Sequence, residues 1–167
     1  MQEAHTYEEG DRFPYEGGFV SLLLKKGATE RAFVEDDSLI VSTQDPKDKD
    51  QILSLIKALY RKKVTKRIGS LVAHWSKTLD IEVPPYTIRD SKKRWGSCSA
   101  SGRLSFSLRA QALGDEELSY LVLHEVAHLF HFNHSKEFKE LLQTHMSDYK
   151  TRQRKMFALQ RSSQLIR

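Results

Sequence analysis

A chain of 167 residues, 39% hydrophobic, with a net charge of +5 and one cysteine, has room for one domain and a modest core. It contains no apolar run of about eighteen residues, so the sequence predicts no membrane span, and a lone Cys98 excludes an internal disulfide. The charge is uneven: residues 1–50 carry six basic and twelve acidic side chains, and residues 51–167 carry twenty-one and ten.

The first ten residues are polar and acidic, without the apolar stretch of a secretory signal. Together with the cysteine count this points to a reducing, cytoplasmic setting. Residues 13–18 read as a turn, and residues 19–25 and 30–34 as a pair of strands joined through Lys26-Gly27-Ala28. Residues 38–42 make a further strand. Asp45-Pro46 has the form of a helix start, with Asp45 as cap. Ile52, Leu55, Ile56, Leu59 and Tyr60, then Val64, Ile68, Leu71, Val72 and Trp75, repeat at helical spacing and predict one long helix over about 47–79. Its other face carries Lys57, Arg61, Lys62, Lys63, Lys66 and Arg67.

Pro84-Pro85 ends any helix, and Tyr86 to Arg89 is a strand. Ser99-Ala100-Ser101-Gly102 is a hairpin turn, after which Leu104, Phe106 and Leu108 alternate with polar residues as a half-buried strand. Asp115 reads as the cap of a helix over 116–132, with a further helix over about 136–149 and a basic helical tail. Strands first and helices later predict an α+β fold. The expected organisation is a β-rich segment over 1–44, a main domain over 45–159 and a basic tail over 160–167.

Inside the predicted helix 116–132 lies His124-Glu125-Val126-Ala127-His128, an HExxH motif. Residues four apart on a helix are about 6 Å apart along its axis and nearly on one face, so two imidazoles can close on one metal ion. Glu125 is then placed to face a metal-activated water as general base. A catalytic zinc needs a third protein ligand. His131 is about 10.5 Å along the axis from His124 if the helix continues. His134 reaches the site if the chain turns near Asn133, with Ser135 capping the next helix, and this geometry favours His134. The spacing HExxH-x5-H equals that of metzincins, but His131 stands where they carry glycine.

The stretch Arg89-Asp90-Ser91-Lys92-Lys93-Arg94-Trp95-Gly96-Ser97-Cys98-Ser99, the following strand, the HExxH and Asn133-His134-Ser135-Lys136-Glu137-Phe138 resemble the YgjP-like metal-dependent hydrolases over about residues 45–159. These are predicted zincin peptidases related in architecture to SprT-like proteins. The resemblance implies a zincin-like fold, with an antiparallel strand beside the active-site helix. It also implies one zinc ion on His124, His128 and His134, and Glu125 as the catalytic carboxylate.

The leading expectation is therefore a zinc metallopeptidase acting on a peptide or protein substrate. The strand of residues 104–108 is a candidate for pairing with an extended substrate, and Arg94, Tyr149 and His145 have the chemistry to stabilise an oxyanion. Cys98 can serve as an extra ligand or stay buried and inert. Two alternatives are a nucleic-acid module using the basic helix of residues 57–67 and the tail of residues 150–167, and a metal-binding domain without turnover.

Overall fold

The computed structural model describes residues 4–162 together with 165 and 166; the basic tail expected over 160–167 thus falls partly outside the described residues. Chain order is β1 (Arg12–Tyr15), β2 (Gly18–Lys26), β3 (Arg31–Glu35), β4 (Ser38–Thr43), α1 (Lys49–Thr78), β5 (Tyr86–Arg89), β6 (Gly96–Cys98) and β7 (Leu104–Ser107). A 3-10 helix (Leu108–Ala112) follows, then α2 (Asp115–Ala127), α3 (Lys136–His145) and α4 (Tyr149–Arg161). The α+β class is as expected.

The first sheet has the order β1-β2-β4-β3. β2 and β3 do not form the hairpin that their spacing suggests: β4 lies between them, antiparallel to β3 and parallel to β2. The physical reason is burial. Leu39, Ile40 and Val41 of β4 are all buried, the mark of a strand covered on both faces, and such a strand takes the central position. Residues 13–18 are strand β1 plus a two-residue turn, in which Glu16 and Gly17 both have positive φ. At Gly17 a Cβ would come within 2.9 Å of the Gly114 Cα, so glycine permits the turn to touch the start of α2.

Helix α1 runs 30 residues, about 45 Å, and belongs to two cores. Ile52, Ile56, Leu59 and Tyr60 pack on Phe13, Val20, Leu22, Leu39 and Val41 of the first sheet. One half further on, Val64, Ile68, Val72 and Trp75 join a second cluster with Phe106, Leu118, Leu121, Val122 and Val126. Its cap is Asp48, whose side chain accepts from the Gln51 N–H, rather than Asp45. Asp45 instead closes a turn over Pro46-Lys47, accepting from the Lys47 N–H. Several basic residues of α1 are spent inside the molecule: Lys57 on Asp90, Arg61 on the Ile88 carbonyl, and Arg67 on the Leu113 carbonyl and Asp115. Lys62, Lys63 and Lys66 stay exposed. Among the described residues no helix is long and apolar enough to cross a membrane.

The second sheet has the order β5-β7-β6, with β7 parallel to β5 and antiparallel to β6. β7 is therefore the central strand, both its edges are taken, and it cannot add a substrate strand as the sequence suggested. Arg109 fixes what surrounds this sheet. It is 2% exposed and donates to the Asp90 carboxylate, the Ser91 carbonyl and the Ile166 carbonyl. Ile166 and Leu165 are buried.

Burial pushes the Asp90 carboxyl up, but the hydrogen bonds and charges of Lys57 and Arg109 together outweigh it and hold it below the ordinary carboxylate value. A depressed carboxyl stabilises the fold above its unfolded pKa, about 3.9, and that contribution is lost as pH falls through the lower folded value. Asp90→Asn is expected to cost about 1–2 kcal/mol at pH 7, at the small end because Asp90 is half-exposed while Arg109 is not. Urea unfolding of the two proteins should converge as pH is lowered through the acid range.

Candidate metal centre

Helix α2 is buried on most sides, with Leu118, Tyr120, Leu121, Val122, Leu123, Val126 and Ala127 all in the core. Its cap is the Gly114 backbone rather than Asp115, and Asp115, Glu116 and Glu117 occupy the positive end of its dipole. The helix ends at Ala127, five residues sooner than the apolar pattern implies. His128 is its C-cap yet keeps right-handed helical backbone (φ −64°, ψ −17°), so the four-residue spacing from His124 survives. The reason for the early stop is local. The N–H groups of Leu129, Phe130 and His131 fold back onto the Val126 and Ala127 carbonyls, and the chain reverses. Ser135 then caps α3, accepting from the Phe138 N–H as expected.

The reversal brings His134 onto the pair from α2. Its Nε2 lies 3.2 Å from His124 Nε2 and 3.1 Å from His128 Nε2. These three residues are a group whose ligand atoms all lie within 4.8 Å of one another. Donors placed about 2.0–2.1 Å from a tetrahedral centre are about 3.3–3.4 Å apart, so the two separations from His134 suit such an ion, and the His124–His128 pair lies within 4.8 Å. A set made wholly of imidazole nitrogens suits zinc.

The second nitrogens of two rings are tied. His128 Nδ1 is 3.1 Å from the His131 carbonyl oxygen, which only accepts, so Nδ1 carries the proton and Nε2 the lone pair. His124 Nδ1 lies 3.1 Å from the Tyr120 hydroxyl. His131 thus serves through its backbone, and its ring is not in the cluster. The Phe138 ring backs all three imidazoles at centroid distances of 5.1, 4.6 and 5.0 Å. Burial, and then the two neighbouring imidazoles, lower the His124 pKa to about 3. His128 is also lowered, chiefly by burial. Both rings are neutral near pH 7, the state a metal requires.

Glu125 is 5% exposed, and burial raises its pKa to about 8. No hydrogen bond or ion pair reaches it among the described residues, and a buried carboxyl without partners is costly for a fold to keep. It lines a cavity of about 170 Å³ together with His124, Arg94, Gly96 and Gln160. A Cβ at residue 96 would come within 3.1 Å of Glu125 Cγ, so glycine there lets β6 lie directly on the Glu125 side chain. On the other side of His124 opens a cleft of about 610 Å³.

Of the expected oxyanion groups, Arg94 lines the smaller cavity and Tyr149 the larger, its ring 6.4 Å from Tyr120. His145 lines neither and lies against Trp75. Cys98 is half-buried on β6 and outside the histidine cluster; burial and then Glu125 raise its thiol. Tyr120, Phe138 and the His131 carbonyl are the parts of the site that the sequence reading missed. Tyr120 had a signal, standing one helical turn before His124.

A family model described as YgjP-like, metallopeptidase domain, matches residues 1–158. No curated protein matches the chain. Among solved structures, the metallopeptidase zymogen of Methanocaldococcus jannaschii jannalysin is similar over 55% of this chain and 94% of that one, at 22% identity and a TM-score of 0.49.

Because the Tyr120 hydroxyl lies within hydrogen-bond reach of His124 Nδ1, Tyr120→Phe is expected to weaken metal binding at the three histidines about tenfold. Competition with a chromophoric chelator measures this directly, and an unchanged affinity would remove Tyr120 from the site.

Proposed function

We propose, from the premise that the chain belongs to the YgjP-like metallopeptidase-domain family, that this protein is a zinc-dependent peptidase. In this reading His124, His128 and His134 hold one zinc ion and Glu125 is the general base. The observation that carries it is the convergence of three imidazoles, the His134 Nε2 lying 3.2 and 3.1 Å from the Nε2 atoms of His124 and His128, beside a buried carboxyl with no partner among the described residues. Residues 45–159 form the hydrolase domain, and the lone Cys98 fits a cytoplasmic setting.

Zinc at this position supplies Lewis acidity, which makes water a nucleophile near neutral pH and polarises the scissile carbonyl. Glu125 takes the proton from the attacking water and passes it to the nitrogen of the breaking C–N bond, leaving a carboxylate and an amine. Burial raises the Glu125 carboxyl, and a cation held by the neighbouring histidines would favour its charged, proton-accepting form. His124 and His128 need no proton change near pH 7, since burial holds both below the ordinary imidazole value.

The free edge of β6 is the place for an extended substrate. Ladder bonds join Trp95 to Ser107 and Ser99 to Arg103, so the alternation of an antiparallel pair turns the N–H and C=O groups of Gly96 and Cys98 to the unpaired side. A peptide pairing there lies beside Glu125 because Gly96 does.

Glu125→Gln is expected to keep zinc and fold while cutting peptide hydrolysis by roughly 10²–10⁴-fold. Metal content and a fluorogenic peptide assay on the same preparation make the test. Retained zinc with no loss of turnover contradicts the role of Glu125, and a wild type that holds zinc but cleaves no peptide points to a binding domain without turnover.

A further inference from the structure

The two cavities that meet at Tyr120, His124 and Phe157 are lined by cations that the fold does not use. In the larger cleft they are Lys139 of α3 and Lys150 and Arg154 of α4; in the smaller they are Lys93 and Arg94. Among the described residues lining either cavity, Glu125 is the one carboxylate.

Helix α4 separates its charges by face. Arg152 donates to Asp148 at 3.0 Å and to the Glu116 carbonyl at 3.2 Å, and Lys155 lies 3.9 Å from Glu117. Lys150, Gln153, Arg154 and Phe157, spaced as neighbours on one helical face, line the cleft instead. Lys150 and Lys139 have no ion pair among the described residues, and Arg154 reaches only the neutral Thr151 hydroxyl. All three are exposed, and Phe157, 39% exposed, adds an apolar surface between them and His124. The α4 cations that line the cleft thus lack acidic partners, whereas Arg152 and Lys155, off the cleft, have them.

We infer that the cleft selects acidic peptide segments, with Lys150, Arg154 and Lys139 receiving Asp or Glu side chains on one side of the scissile bond and Lys93 and Arg94 on the other. This rests on the peptidase reading above and names its substrate class. Charge complementarity across a partly solvated cleft acts on affinity and encounter rate, and it weakens with salt.

The test uses labelled ten-residue peptides with both termini blocked, one series carrying glutamates and an isosteric series carrying glutamine. Binding to the zinc-loaded full chain bearing Glu125→Gln is followed by anisotropy. The glutamate series is expected to bind roughly tenfold tighter at low ionic strength. In Lys150→Glu/Arg154→Glu the gap should fall below about threefold, and the milder Lys150→Gln/Arg154→Gln should lie between. Lys62→Glu/Lys63→Glu on α1 changes net charge equally and should preserve the gap. Equal binding of the two series overturns the inference. So does a gap untouched by the α4 variants, or a gap lost equally in the α1 variant. Wild-type cleavage of both series without preference overturns the inference and leaves the peptidase reading intact. A binding gap without cleavage of either series supports the acidic preference and counts against hydrolysis.

Discussion

The site depends on a reversal of the chain between Ala127 and Ser135. Helix α2 presents two imidazoles on one face, but a third from the same helix would lie too far along the axis. The helix stops at Ala127, with the N–H groups of Leu129, Phe130 and His131 bonded back onto the Val126 and Ala127 carbonyls. The His131 carbonyl, which the reversal turns inward, accepts from His128 Nδ1. The turn that delivers His134 thus also fixes which nitrogen of His128 is free. Phe138, three residues past the Ser135 cap, backs all three rings.

The opposite wall of the site is held from a distance. Arg109, buried beneath the second sheet, grips Asp90 and the Ser91 carbonyl, and the Ser107 hydroxyl donates to the same carbonyl at 2.7 Å. Gln160 of α4 donates to the Lys93 carbonyl at 2.8 Å. These bonds anchor residues 90–93 in the segment that leads into β6. A buried guanidinium is expensive to desolvate, which makes its partners more than decoration.

Much of this was legible in the sequence, and the reasons are physical. The HExxH motif, the Ser135 cap and the period of α1 are local features with strong geometric meaning. The choice of His134 over His131 followed from helix rise together with a turn expected near Asn133 and the Ser135 cap, and the structure brings His134, not the His131 ring, to the pair. The family resemblance placed on the tryptophan-glycine-serine-cysteine stretch and the histidine motif agrees with the match over residues 1–158. What local reading missed is non-local. That β4 inserts between β2 and β3, and that β7 is central rather than an edge, depends on which strands find cover on both faces. The inward role of Arg109 was hidden because a basic residue after a strand reads as solvated until its partners, Asp90 and the Ile166 carbonyl, are known.

The measurement that reaches the central claim most directly is metal content by mass spectrometry on chelator-free preparations of the wild type, His134→Ala and His131→Ala. About one zinc per chain in the wild type and in His131→Ala, with most of it gone from His134→Ala, is the result this account predicts. A wild type that takes up no zinc, or a His134→Ala chain that holds it as firmly as the wild type, would contradict it.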